Sequence, residues 1–149
     1  MQIWIDADAC PKPVKMVLFR VAERMQIAMT LVANHVVPAP RSRVITSRQV
    51  PLGFDAADDV ILENLQAGDL VITADVPLAD KVLARDANAL NPRGTFYTRE
   101  NIKDHLARRD MREELRGMGE ATGGPSPLGK KDVQVFANAL DRFLARFVR

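Results

Sequence analysis

Apolar and polar positions along this chain follow two periods, and their order predicts the architecture. Runs rich in Ile, Val and Leu at 2–5, 27–32 and 70–73 contain no charged residue. Such short, unbroken runs suit strands buried on both faces, the condition of a parallel sheet. After the first run the spacing changes to three and four. Val14, Val17, Leu18, Val21, Ala22 and Met25 form one apolar face of a helix over residues 11–25. Further helices are predicted over 55–66, over 77–85 with Pro77 at its start, and from 98 or 99 to 116. A last helix, capped by Asp132, carries Phe136, Leu140, Phe143 and Phe147 at helical spacing. Residues 35–52 hold Pro38, Pro40 and Pro51 and read mostly as loop, with a short strand over 43–46. A short edge strand is predicted at 88–90, a turn at 91–94 and a loop at 121–131, where three glycines and two prolines gather. There is no internal repeat. The alternation of strand and helix predicts one three-layer α/β/α domain over residues 1–149, with a mainly parallel sheet.

Chemistry gathers where the strands end. The first runs into Asp6-Ala7-Asp8-Ala9-Cys10-Pro11, and the Leu70 strand into Thr73-Ala74-Asp75-Val76-Pro77. Residues just past parallel strands stand at the carboxyl edge of the sheet, where open α/β folds bind ligands. If the two strands are neighbours, three carboxylates meet there. Asp55, Asp58 and Asp59 open the middle helix, with Asp55 placed as an N-cap. Turn and cap chemistry is the plain reading of all these acids. Aspartate is a poor helix former, however, so the Asp58-Asp59 pair points to a second task for one of them. Clustered carboxylates suit Mg²⁺ or Mn²⁺, and Thr73 could orient a carboxylate or a water beside them.

Composition narrows the alternatives. The chain has 149 residues, 47% apolar and 27% charged, ordinary values for a soluble domain. No stretch approaches the about 20 apolar residues needed to cross a bilayer, so no membrane association is expected. One cysteine excludes an internal disulfide and fits a reducing compartment, so a cytoplasmic location is expected. Cys10 reads as a packing residue, since a cysteine phosphatase signature would need arginine where Met16 stands. His35 and His105 form no zinc motif, and no glycine-rich nucleotide loop is present. The net charge of +2 is unevenly spread: residues 24–54 carry +4 with no acid, 55–86 carry −6, and 87–149 carry +4. An acidic centre between basic flanks suits a metal site that handles a polyanion. Arg41, Arg43, Arg48 and Arg93 are the candidate phosphate contacts, against the plain reading of solvated surface.

Five motifs then carry a resemblance. Ile5-Asp6-Ala7-Asp8-Ala9-Cys10-Pro11, Gly53-Phe54-Asp55-Ala56-Ala57-Asp58-Asp59, Leu70-Val71-Ile72-Thr73-Ala74-Asp75-Val76-Pro77-Leu78-Ala79, Asn91-Pro92-Arg93-Gly94 and Thr122-Gly123-Gly124-Pro125 together resemble the bacterial YaiI/YqxD family, along nearly the whole chain. That family in turn resembles PIN-like domains, a group that includes metal-dependent ribonucleases. The resemblance implies a PIN-like fold with Mg²⁺ or Mn²⁺ on Asp6, Asp8, Asp75 and Asp59, the choice between Asp58 and Asp59 staying open. It implies the catalytic set Asp6, Asp8, Asp58, Asp59, Asp75 and Thr73, with RNA as partner. The middle helix carries Asp where many PIN domains carry Glu. The expected activity is metal-dependent RNA hydrolysis. Two other readings stay open. One is a small phosphatase of the haloacid-dehalogenase type with Asp6 as nucleophile, since that class also opens on D-x-D. The other is a non-catalytic RNA-binding or regulatory module. The glycine-rich 122–125 stretch reads as linker or lid, and a homodimer is compatible with the sequence.

Overall fold

The computed structural model describes residues 1–53, 55–117 and 128–147, so the 122–125 stretch, read as linker or lid, lies outside the described residues. Among them the chain folds as one six-stranded sheet with helices on both faces. β1 (Ile3–Asp6) leads through a 3-10 turn (Ala7–Ala9) into α1 (Lys12–Met25) and β2 (Met29–Ala33). β3 (Ile45–Gln49), α2 (Ala56–Asn64), β4 (Leu70–Ile72) and α3 (Val76–Ala84) follow. β5 (Asn88–Leu90), β6 (Phe96–Tyr97), α4 (Ile102–Gly117), α5 (Lys130–Leu144) and a closing 3-10 turn (Ala145–Phe147) complete the order. The strands lie in the order β3-β2-β1-β4-β5-β6, all pairs parallel except β5 with β6. The first crossover carries the chain from β1 to β2 on one side, and a later one brings it back to β4 on the other. The point where the order reverses therefore lies between β1 and β4.

β1, β2, β4 and β5 each supply both cores, because successive side chains point to opposite faces. Ile3 and Ile5 join Met29, Leu31, Leu70 and Ile72 beneath α1 and α5. Trp4, Val32, Val71 and Ala89 pack on the other face, under α2, α3 and the start of α4. This is the expected three-layer α/β/α arrangement, consistent with a PIN-like domain. The faces of α1 and α5 carry their predicted apolar positions, with Val14, Leu18, Phe136 and Leu140 fully buried, except that Phe147 falls in the closing 3-10 turn, beyond α5.

Several boundaries differ from the pattern-based expectation, each for a local reason. The third strand runs over Ile45–Gln49 rather than 43–46, because Ser42 accepts hydrogen bonds from the N–H groups of Val44 and Ile45 and makes a turn there. Only Ile45 of that strand is buried, so the apolar pattern was faint. β6 was not anticipated; it is two residues long and pairs antiparallel to β5 after the 91–94 turn. Thr98 and Asn101 exchange side-chain hydrogen bonds with each other's backbone N–H, and the helix proper begins at Ile102. Asp132 does not stand at the cap of α5. It lies in the first turn and reaches back to the Gly129 N–H at 2.9 Å.

Two contacts hold the frame at points remote from the carboxyl edge. Asp69 is buried just before β4 and accepts three bonds, from Gln2 N–H, Trp4 Nε1 and Gln66 N–H. It ties the amino ends of β1 and β4 together. Gly94 has a φ of +93°, and a Cβ there would lie 2.7 Å from Val135 Cγ1 and 2.8 Å from its backbone carbon. The 91–94 turn thus presses directly on α5.

Gly94→Ala should accordingly destabilise the fold by about 2 kcal/mol or more, lowering the thermal midpoint by about 4–8 °C. Gly68 also has a positive φ, +88°, but open space around it. Gly68→Ala should therefore cost only the backbone strain, about 1 kcal/mol. Equal melting temperatures for the two variants would contradict the close packing of the turn on α5.

Candidate functional site

The carboxyl ends of β1 and β4 are joined by one threonine. Thr73, almost fully buried, donates its hydroxyl proton to Asp6 Oδ2 at 2.9 Å and accepts the Asp75 N–H at 2.9 Å. Its own N–H donates to the Leu90 carbonyl, which fixes it to β5. Thr73 thus orients a carboxylate, one of the two tasks open to it. Asp75 caps α3, accepting the Leu78 N–H on Oδ1 at 3.0 Å, so the plain reading of that residue holds. It also lines the cleft described next.

That cleft is shallow, about 180 Å³, and its walls include Asp6, Asp8, Asn34, Asp55, Asp58 and Asp75. Asp8 projects from the 3-10 turn and is held from the side of β2: the Asn34 N–H donates to Oδ2 at 2.9 Å and His35 Nδ1 lies 2.5 Å from Oδ1. In the middle helix Asp58 and Asp59 differ in direction. Asp58 lines the cleft, whereas Asp59, about 100° further round the helix, is exposed outside it. Asp59 is therefore not among the grouped carboxylates. Asp55 makes no cap bond; its backbone is left-handed, with φ of 62°, and the residue is exposed at the cleft wall.

Like charges share this space, and their acidities respond. Burial is the main force raising the Asp6 carboxyl above its usual range; the Thr73 bond opposes it, and the Asp75 and Asp8 charges add to it. Asp58 is pushed up to about 7, first by burial and then by Asp75, Asp6 and Asp55, with Lys81 pulling the other way. Cys10 is buried and its thiol is pushed up to about 12 by that burial, which fits the packing role expected of it.

The four arginines do not converge on the acids. Arg41 and Arg43 precede β3 and share a hollow with Glu23 and Gln26 from the end of α1, which puts them at the amino edge of the sheet. Arg93 bonds to Asp132 at 3.3 Å, bracing the 91–94 turn against α5. Arg48 alone of the four stands level with Asp6 along the sheet and on the same face, through the register Asp6–Val32–Arg48. Two strand spacings separate them, about 10 Å. Expectation treated a basic segment as one unit, but an extended strand carries its two ends to opposite edges. Asn34, His35 and Lys81 were missed. For the first two the signal was present: they directly follow β2, a neighbour of β1, and so share its carboxyl edge.

Oxygen donors of this kind fit a hard cation in one specific sense. Among the described residues no three His, Cys, Asp or Glu side chains converge closely enough to enclose a metal ion. The donor set fits hydrated Mg²⁺ or Mn²⁺ held through one or two carboxylates, the usual habit of these ions, and not a preformed cage of protein ligands.

The Asp58 shift yields a signed pH dependence. Its folded value of about 7 lies above the about 3.9 of an unfolded aspartate, so the stability this group contributes is complete below about pH 4 and is lost as pH rises to about 7. Metal-free Asp58→Asn protein should melt above wild type at pH about 8, with the gap closing near pH 4. A gap that widened toward acid pH would contradict the assignment.

Comparison with known proteins identifies the family of the chain. The family model described as "Uncharacterized BCR, YaiI/YqxD family" matches residues 4–146. A UPF0178 protein of Janthinobacterium sp. (strain Marseille) is 57% identical over 146 residues, covering 98% of this chain and 97% of the relative. A UPF0178 protein of Shewanella amazonensis is 58% identical over 146 residues, 98% of each chain, and one of Aromatoleum aromaticum is 56% identical over 148 residues, 99% of each. No solved structure matches. With a match of this extent, the chain belongs to the YaiI/YqxD family.

Proposed function

We propose that this chain is a cytoplasmic, divalent-metal-dependent hydrolase acting on RNA phosphodiesters. One observation carries the reading: Asp6, Asp8, Asp58 and Asp75, from separate elements, line a single cleft at the carboxyl edge where the strand order reverses. Mg²⁺ or Mn²⁺ bound there would supply activation of water and offset the charge that gathers on phosphoryl oxygens. Within the chain, Thr73 holds Asp6 while anchoring the backbone of Asp75, and the first turn of α3 holds the Asp75 carboxylate. Arg48 is the arginine suited to a phosphate of a strand crossing the end of β3. A lone, buried cysteine supports the cytoplasm, and no described helix is long and apolar enough to cross a membrane. Asp6 is 8% exposed with Oδ2 already bonded to Thr73, which disfavours it as a nucleophile attacking phosphorus and favours water in that role.

Calorimetry with Mn²⁺ should register a site that weakens about tenfold or more in Asp6→Asn and in Asp75→Asn. Asparagine can still accept the Thr73 and Leu78 bonds, so both variants keep the fold while losing the charge. Purified protein should cleave unstructured RNA with Mn²⁺, stop with EDTA and accumulate no aspartyl-phosphate. Labelled phosphate on Asp6 would establish the phosphatase reading instead, and intact RNA across a broad panel with Mn²⁺ bound would establish the non-catalytic module.

The arginines give a separate test. Arg48→Ala should weaken binding of single-stranded RNA and reduce its log–log salt slope by about 0.7, the value of one phosphate contact. Arg41→Ala should change both less. The opposite ranking would put the nucleic acid on the amino edge, away from the acids.

A further inference from the structure

We propose that His35 is a positioning residue of the cleft, holding the Asp8 carboxylate in the orientation in which it meets a divalent cation. This rests on the metal reading given above. Asp8 stands on a 3-10 turn of three residues, outside the sheet, where a short side chain has more than one staggered position available. Both its oxygens are nevertheless engaged from the segment that follows β2: Oδ2 by the backbone N–H of Asn34 at 2.9 Å, Oδ1 by His35 Nδ1 at 2.5 Å. Two anchors on two oxygens fix the rotation of the carboxylate plane, which one anchor would leave open. The backbone anchor survives substitution of His35, whereas the imidazole anchor is removed by it. With its proton on Nδ1 the ring donates to the carboxylate, and the contact itself favours that tautomer. Asn34 Oδ1, 3.5 Å from the same nitrogen, adds a second acceptor facing that tautomer.

The alternative is an exposed ion pair with no task beyond its contact. The imidazole is 61% exposed, and pairs of that kind contribute little to stability. The two cases part in what the contact controls. An idle pair affects neither the fold nor the ligand, whereas a group that orients a metal-binding carboxylate changes metal affinity, commonly by about 10–100-fold on removal.

Mn²⁺ dissociation constants for the full chain, measured by calorimetry at pH about 8, above the ordinary imidazole range, decide between them. His35→Ala should bind Mn²⁺ about tenfold or more weakly at an unchanged melting temperature. His35→Asn, whose amide nitrogen takes the place of Nδ1, should recover most of that loss. Asp8→Asn should weaken binding at least as much, and adding His35→Ala to it should change nothing further, since the group being positioned is already gone. If wild type binds Mn²⁺, Asp8→Asn weakens it and His35→Ala does not, the positioning role is overturned while the metal reading stands. Independent, additive losses from the two positions would also overturn it. If wild-type protein binds no Mn²⁺, the metal reading falls and this role with it.

Discussion

A parallel sheet has to be covered on both faces, and much of this structure follows from that requirement. β1 lies inside the sheet with neighbours on each side, so Ile3, Trp4 and Ile5 are all committed to one core or the other. Its middle offers no place for a polar side chain. Polar chemistry is confined to the strand ends, and the two ends are used differently. At the amino edge a buried carboxylate, Asp69, is fully engaged by three donors and serves as a tie between β1 and β4. At the carboxyl edge the crossover reversal parts the connecting segments, and the acids stay accessible in a cleft. The same residue type is structural at one end of a strand pair and available for chemistry at the other.

The architecture was legible because burial on both faces writes a simple pattern. Unbroken Ile, Val and Leu runs gave β1, β2 and β4, and the helical spacing of Val14 to Met25 gave α1. What escaped was set by contacts that write no pattern. β3 is four-fifths exposed, and its limits come from the Ser42 turn. β6 exists because the Gly94 turn folds two residues back onto β5. In the cleft, the positions following β1 and β4 named Asp6, Asp8, Thr73 and Asp75 correctly as neighbours. The partner from α2 turned on a single helical step that composition does not resolve. His35 was set aside for lack of a metal motif, although its place after β2 put it beside Asp8.

Thr73 makes the two strand ends one mechanical unit. Its hydroxyl donates to the Asp6 side chain and accepts from the Asp75 backbone, so a displacement of either acid is felt by the other. Burial does most to raise Asp6 and Asp58, and the repulsion among the acids, which adds to it, acts against this bracing. A cation arriving at the cleft would relieve that repulsion, so its binding and the protonation of these acids are competing ways of settling the same excess charge.

The outermost strand on the other side of the sheet has a consequence of its own. β3 leaves one row of backbone donors and acceptors without a neighbouring strand among the described residues, and such a row can recruit a strand from another molecule. Here Pro40 and Pro51 bracket it, it is five residues long, and Arg43 and Arg48 stand near its two ends with no acid in the surrounding segment. Two copies approaching edge to edge would bring guanidinium against guanidinium. Charge placed at an open sheet edge thus has a second consequence, since the guanidinium groups of β3 oppose edge-to-edge pairing of two copies.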